Sequence, residues 1–182
     1  MQANILVVDD TPSNITVLME ILRGDYRVLA ATNGEQALKI ARGDPPPDLI
    51  LLDVMMPGMS GHEVCERLKA ESSTRTIPVI FVTAMNQVED ETRGFELGAV
   101  DYITKPVSPP IVKARVKTHL ALYDQNRELE RMVRERTAEL HHTRLEIIKR
   151  LGRAGEFRDD QTGMHVVRVA HYCRRSLTIT IG

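Results

Sequence analysis

The stretch of residues 49–58 is LILLDVMMPG, in which four apolar residues lead into Asp53 and a proline and a glycine follow. A short apolar run bounded by turn-forming residues is typical of a strand buried on both faces of a parallel sheet. A carboxylate at the end of such a strand lies at the carboxyl edge of the sheet, where open α/β folds bind ligands. Asp53 is therefore the first candidate functional residue.

Three further strand-like runs end in polar residues that complement Asp53. Ile5–Val8 leads into Asp9 and Asp10, Val79–Val82 into Thr83, and Val100–Thr104 into Lys105. Parallel strands present their carboxyl ends at one edge, so we expect these side chains to converge. Three carboxylates repel one another unless a divalent cation neutralises them, and an oxygen-rich site suits Mg²⁺. The pattern predicts a pocket for a metal ion and a phosphoryl group.

Each of these residues also has an ordinary structural interpretation. The acidic pair could cap the next helix, Asp53 could be a turn residue, and Thr83 could be a helix cap. Lys105 could be a surface lysine, although it stands beside a proline that restricts the local backbone. A buried ammonium is costly without carboxylate partners, so the joint arrangement favours the functional interpretation.

Residues 4–106 alternate strand and helix patterns five times. The first helix is predicted from Pro12 to a stop at Gly24, and the strand Tyr26–Ala30 follows before a helix over Glu35–Arg42. A fourth helix is patterned by Val88, Phe95 and Leu97. Alternation with short connections predicts right-handed parallel crossovers, and five strands fit a flavodoxin-like doubly wound parallel sheet.

A long helix is predicted beyond Pro110, because no glycine or proline occurs from there to Arg150. Its apolar residues recur at steps of three, four or seven, at Leu122, Leu129, Val133, Leu140 and Ile147. This heptad seam, with Asn126 and Arg136 as polar members that fix register, favours a parallel dimeric coiled coil. The alternative is an amphipathic helix folded back on its own domain. Gly152 and Gly155 are predicted to end the helix.

The 182 residues allow one full domain and an appendage. No apolar stretch approaches the ~20 residues that cross a bilayer, and no export signal opens the chain, so a cytoplasmic location without membrane contact is expected. Cys65 and Cys173 are expected to be reduced thiols. Residues 1–106 carry 9 basic and 16 acidic side chains and residues 107–182 carry 15 and 9. The charges of the basic half alternate in sign, which favours a solvated helix over nucleic-acid binding.

The chain resembles the receiver domain of two-component response regulators over residues 3–121. The resemblance lies in five motifs taken in order: Asp9-Asp10, Asp53 with Met56-Pro57-Gly58, Gly61, Thr83-Ala84 and Lys105-Pro106. It implies that Asp53 accepts a phosphoryl group from a histidine kinase or phosphotransfer protein. It further implies that Asp10, Asp53 and the carbonyl of Met55 bind Mg²⁺, that Asp9 supports the ion through water, and that Lys105 and Thr83 contact the phosphoryl oxygens.

The resemblance also implies a conformational switch. Thr83 would move towards the phosphoryl group and Tyr102 would turn inward, which biases the face formed by the fourth helix, the fifth strand and the last helix. Tyr102 has a simpler interpretation as a half-buried strand aromatic. Met55 and Met85 flank the expected phosphoryl group, and we hypothesise that they hinder attacking water and prolong the phosphorylated state.

Residues 151–168 resemble the opening of an HD-GYP domain, a family of metal-dependent cyclic di-GMP phosphodiesterases, through an Arg-Asp pair and Thr-Gly-x-His-x-x-Arg. The resemblance implies a metal ligand at His165 and a structural Arg168; Gln161 replaces a frequent glutamate. A lone histidine is otherwise an ordinary surface residue. No His-Asp pair or Gly-Tyr-Pro motif occurs. One histidine cannot hold a catalytic centre, so no hydrolysis is expected from this chain alone.

The predicted organisation is a receiver over residues 1–121, a coiled-coil signalling linker over 122–151, and the truncated first helices of an output domain over 152–182. One alternative is a phosphodiesterase site that a second chain completes. A DNA-binding regulator is disfavoured because no helix-turn-helix pattern follows the receiver. A small-molecule α/β enzyme is disfavoured because no glycine-rich phosphate loop follows the first strand.

Overall fold

The computed structural model describes residues 2–84 and 94–156. Its centre is one parallel sheet of five strands: β1 (Asn4–Val8), β2 (Arg27–Ala31), β3 (Leu49–Asp53), β4 (Val79–Thr83) and β5 (Asp101–Thr104). The strands lie in the order β2-β1-β3-β4-β5, which is the flavodoxin-like order. The predicted fold class is confirmed.

Helices cover both faces of this sheet. They are α1 (Pro12–Leu22), α2 (Gly34–Ala41), α3 (Gly61–Ala70) and a C-terminal helix (Pro109–Glu156). Of the predicted fourth helix, Val88 lies outside the described residues, whereas Phe95 is helical. β2 begins one residue later than predicted, because the amide of Tyr26 donates to the carbonyl of Leu22 and closes the turn after α1.

Alternate residues of the strands enter two separate apolar clusters. Leu6 and Val8 of β1 pack with α2 and α3 on one face, whereas Ile5 and Val7 pack with α1 and the start of the C-terminal helix on the other. The period of two residues in a strand produces this division. All five residues of β3 are buried, as expected for the central strand of a sheet covered on both sides.

Gly152 and Gly155 do not interrupt the long helix, which is described up to Glu156; the predicted new segment from Phe157 lies outside the described residues. A glycine inside a helix costs about 1 kcal/mol relative to alanine, which does not stop a helix whose other residues favour the conformation. Leu151, Arg153 and Ala154 are such residues.

The chain divides into two compact units, Met1–Asn126 and Arg127–Gly182. The first contains the sheet and the beginning of the C-terminal helix; the second begins within that helix. The predicted boundaries at residues 121 and 151 stay predictions. In the part of the chain that the structure describes, no helix combines the length and apolar character needed to span a membrane.

Candidate functional site

The acidic residues predicted to converge do meet at the carboxyl edge of the sheet. Asp53 is the last residue of β3, and Asp9 follows β1, the adjacent strand. Together with Asp10 they offer carboxylate oxygens that lie within 4.8 Å of one another. Asp9 is 1% exposed and Asp53 5%, whereas Asp10 is exposed. The cluster therefore opens to solvent on the side of Asp10.

The ammonium of Lys105 bridges the two buried carboxylates. Its Nζ lies 2.7 Å from Oδ2 of Asp9 and 2.8 Å from Oδ2 of Asp53. The backbone amide of Lys105 donates to the carbonyl of Thr83 at 2.8 Å, which fixes the segment after β5 against the end of β4. One cation and three carboxylates leave a net negative charge at this edge.

Burial dominates the electrostatics of Asp53. Loss of solvent raises the pKa of its carboxyl, and the charge of Asp9 adds to the rise. Hydrogen bonding and charge from Lys105, with the amide of Met55, act in the opposite direction without cancelling it. Burial also lowers the pKa of Lys105, but the hydrogen bonds and charges of both aspartates outweigh it, so this pKa is raised.

Asp9 is held by residues of the following helix as well. Oδ1 of Asp9 accepts from the amide of Thr11 at 2.9 Å. The side-chain amide of Asn14 donates to Oδ1 at 3.0 Å and to Oδ2 at 3.1 Å. Sequence reasoning missed Asn14, although a donor in the first turn of a helix that follows an acidic pair could have indicated it.

A tight backbone approach positions the end of β3. The amide of Gly61 donates to the carbonyl of Val54 at 2.9 Å, and a Cβ at position 61 would lie 2.1 Å from the carbonyl oxygen of Asp53. Ser60 and Glu63 form a capping box that starts α3 at this point. The amide of Met55 donates to Oδ1 of Asp53 at 3.3 Å, and the Met55 side chain is 59% exposed.

Thr83 and Tyr102 lie on the neighbouring strands β4 and β5, where Thr83 pairs with Thr104 and Tyr102 pairs with Phe81. Thr83 ends β4 and is 6% exposed. Tyr102 is half-buried in β5, and its ring contacts Phe95 edge-on with centroids 6.1 Å apart. The guanidinium carbon of Arg115 lies 5.8 Å from the centroid of the Tyr102 ring. The switch roles of Thr83 and Tyr102 stay predictions.

Sequence reasoning also missed a polar network beside Tyr102. Asp101 pairs with Arg115, and Nε2 of His119 lies 3.1 Å from Oδ2 of Asp101. The spacing of Arg115 and His119 by four residues places both on one helical face, but only the tertiary fold reveals the acid they meet. Met85, Gln161, His165 and Arg168 lie outside the described residues.

The donor set fits a small divalent cation. All side-chain groups of the cluster are carboxylates, which are the hard oxygen ligands that Mg²⁺ prefers. The accessible acid, Asp10, gives an ion an approach from solvent. Lys105 limits the negative charge that a cation must neutralise.

Residues 5–117 match the family described as "Response regulator receiver domain". A Vibrio cholerae protein named "Probable cyclic di-GMP phosphodiesterase" is 45% identical over 180 residues, which cover 95% of this chain and 41% of that protein. Response regulator PleD of Caulobacter vibrioides is 46% identical over 119 residues, 65% of this chain and 26% of PleD. The chain thus spans less than half the length of either relative.

Solved structures give the same picture. The BeF3-activated receiver domain of DrrB, an OmpR/PhoB homologue from Thermotoga maritima, is 36% identical with a TM-score of 0.60, over 66% of this chain and 99% of that one. Chemotaxis protein CheY4 of Vibrio cholerae is 28% identical with a TM-score of 0.62, over 65% of this chain and 98% of that one.

Proposed function

Because the chain belongs to the response regulator receiver family, we propose that it accepts a phosphoryl group on Asp53 with Mg²⁺ as the cofactor. Receiver domains interact with histidine kinases or phosphotransfer proteins, and a protein of this kind is the proposed donor. The observation that carries the proposal is the Asp53 carboxylate, 2.8 Å from the ammonium of Lys105 and clustered with two further acids.

The transfer makes one bond and breaks another. A carboxylate oxygen of Asp53 forms a bond to phosphorus, while the bond from phosphorus to the imidazole nitrogen of the donor breaks and its electron pair stays on nitrogen. Such a transfer depends on positioning and on charge stabilisation rather than on covalent assistance. Lys105 and Thr83 are the proposed contacts of the phosphoryl oxygens, and the 2.8 Å separation of the Lys105 ammonium from Asp53 supports this role for Lys105.

The proposed cation site uses the acids already in place. Asp10, Asp53 and the backbone carbonyl of Met55 would hold Mg²⁺, and Asp9 would support it through water. When bound, the ion supplies positive charge for the phosphoryl oxygens. Met55 is already tied to Asp53 through its amide, so its backbone is fixed beside the acceptor.

The test is intact-mass analysis after incubation with acetyl phosphate and Mg²⁺, followed by peptide mapping of the adduct. We expect one phosphoryl group per chain, on the peptide that contains Asp53, and no adduct when a chelator removes Mg²⁺. Modification at another residue, or equal modification with the chelator, would contradict the proposal.

Exposed Met55 is proposed to shield the aspartyl phosphate from water. Replacing Met55 with alanine is expected to shorten the lifetime of the phosphorylated state several-fold, because an exposed apolar side chain two residues from Asp53 would hinder attacking water and lies outside the core. The measurement is the decay of the mass adduct after acetyl phosphate is removed. Ile111→Ala, at an exposed position of the C-terminal helix, is the matched control; an unchanged lifetime in Met55→Ala would refute the role.

Signal transmission is proposed to run through Thr83 and Tyr102 to a dimeric coiled-coil linker. The apolar seam of the C-terminal helix supports the dimer, because Leu129, Val133 and Leu140 are 48%, 64% and 64% exposed in the single chain. A stripe of this kind is stable in water when a second helix covers it.

Leu140→Glu is expected to shift this protein from dimer to monomer, because it places two carboxylates opposite each other in the seam. Sedimentation velocity across a concentration series measures the shift. Ala138→Glu adds the same charge two residues away, on the outer face of the heptad pattern, and is expected to leave the dimer intact. Dissociation of both variants to the same extent would argue against the seam.

Cyclic di-GMP hydrolysis is the proposed output, because the similarity to the Vibrio cholerae relative continues along 95% of this chain. The predicted metal ligand is His165. The alternative remains a site that this chain shares with a second one. A phosphodiesterase assay with metal analysis of this chain distinguishes them: activity with bound metal supports the shared site, and inactivity supports an output that requires a longer protein.

A further inference from the structure

Asn14 contacts the acidic cluster through its side-chain amide. It lies half-buried in the first turn of α1, and its amide donates to both oxygens of Asp9. The backbone amide of Thr11 takes a second position on Oδ1, and Lys105 takes a second position on Oδ2. A carboxylate offers about four acceptor positions, and four protein contacts fall on the two oxygens of Asp9, two of them from the one amide nitrogen of Asn14.

This saturation has a consequence for metal binding. A carboxylate whose acceptor positions are taken must lose a donor before it can bind a cation directly. Asp10, by contrast, is exposed, and within the part of the chain that the structure describes its carboxylate accepts only from the Thr11 hydroxyl, at 3.3 Å. Asp9 and Asp10 are adjacent in the chain, yet their surroundings give them different capacities as ligands.

We propose that Asn14 is a positioning residue that sets the site's selectivity for Mg²⁺ over Ca²⁺, an inference that rests on the proposed cation site. Its amide keeps Asp9 from joining Asp10 and Asp53 as a third direct carboxylate ligand. Mg²⁺ retains several of its waters and needs only one or two carboxylates, whereas Ca²⁺ takes six to eight oxygen ligands in flexible geometry. A site with fewer direct carboxylates therefore favours Mg²⁺.

The three donors to Asp9 differ in what their replacement would change. Lys105 also bonds Asp53, so its removal would alter the proposed phosphoryl chemistry. The donor of Thr11 is a backbone amide, which substitution does not remove. Asn14 is the side chain through which the ligand capacity of Asp9 can be changed while the proposed acceptor and its ammonium remain in place.

Isothermal titration of the full chain with Mg²⁺ and with Ca²⁺ tests the inference. Asn14→Ala is expected to lower the Kd for Ca²⁺ about fivefold or more while the Kd for Mg²⁺ changes less than about twofold. Asn14→Leu keeps the branched shape of the side chain but has no hydrogen-bond donors, and it is expected to change the two Kd values in the same way as Asn14→Ala. Ser13→Ala, at the exposed neighbouring position, is expected to leave both constants unchanged.

The outcomes separate this inference from the proposed function. An unchanged ratio of the two constants in both Asn14 variants, or equal weakening of both ions, would overturn the selectivity role and leave the cation site standing. Wild-type protein that binds neither ion would overturn both. Thermal unfolding without metal shows which variants fold, and Asn14→Leu decides the outcome if Asn14→Ala is unfolded.

Discussion

Replacing Asp53 with asparagine is expected to abolish phosphorylation by acetyl phosphate, to below about 1% of the wild-type adduct, because a neutral amide is not a nucleophile. The substitution preserves shape and retains an oxygen that can accept from Lys105. Intact-mass analysis under saturating Mg²⁺ measures the adduct. If dimerisation responds to phosphorylation, sedimentation of the same samples will show a response in wild type and none in the variant.

A matched control separates loss of the acceptor from a general loss of charge. Asp124→Asn removes one carboxylate at an exposed position of the C-terminal helix and is expected to phosphorylate like the wild type. Asp53→Asn is expected to fold, because the buried carboxylate that it removes is itself disfavoured by loss of solvent. An adduct that persists in the folded variant would place the acceptor elsewhere.

Gly61→Ala is expected to have the largest effect on stability, a loss of about 3 kcal/mol or more in the free energy of unfolding. The new Cβ would lie 2.1 Å from the carbonyl oxygen of Asp53, so the start of α3 and the end of β3 must separate. Phosphorylation is expected to slow as well, because this displacement moves the acceptor. Urea denaturation followed by circular dichroism measures the stability change.

Gly24→Ala is the matched control for this prediction. A Cβ at position 24 would meet nothing within 4 Å. Replacing a glycine with alanine lowers the conformational entropy of the unfolded chain, which raises the free energy of unfolding by about 0.4–1 kcal/mol where the backbone is compatible. We therefore expect Gly24→Ala to be neutral or slightly stabilising. Equal losses in the two variants would show that the approach of Gly61 to Asp53 is not the cause.

The parts of the fold that follow from local pattern were predictable. Apolar runs predicted the strands. The polar residues that end these runs predicted that Asp53 and Lys105 would meet, although they are 52 positions apart in the chain. The periodicity of apolar residues predicted the long helix but not its passage through Gly152, since the cost of that glycine is smaller than the helical preference of the residues around it.

What the sequence could not supply was the set of contacts made across elements. Asn14 looked like any polar residue in a first helical turn, and its bonds to Asp9 depend on how α1 leaves the sheet. The pairing of Asp101 with Arg115 and His119 depends likewise on the packing of the C-terminal helix against β5. Such contacts are set by tertiary geometry, which no single-element pattern encodes.

The C-terminal helix has two successive parts, one packed against the sheet and one with no buried side chain among those described. Val112, Val116 and Leu120 are buried in the apolar cluster that also contains Val82 and Ile103, whereas none of the described side chains after Leu120 is buried. A chain that stops at Asn126 would thus keep every residue of this helix that the structure describes as buried and lose nearly all of its apolar stripe. Phosphate chemistry and self-association should consequently be separable by a single stop codon, each measurable without the other.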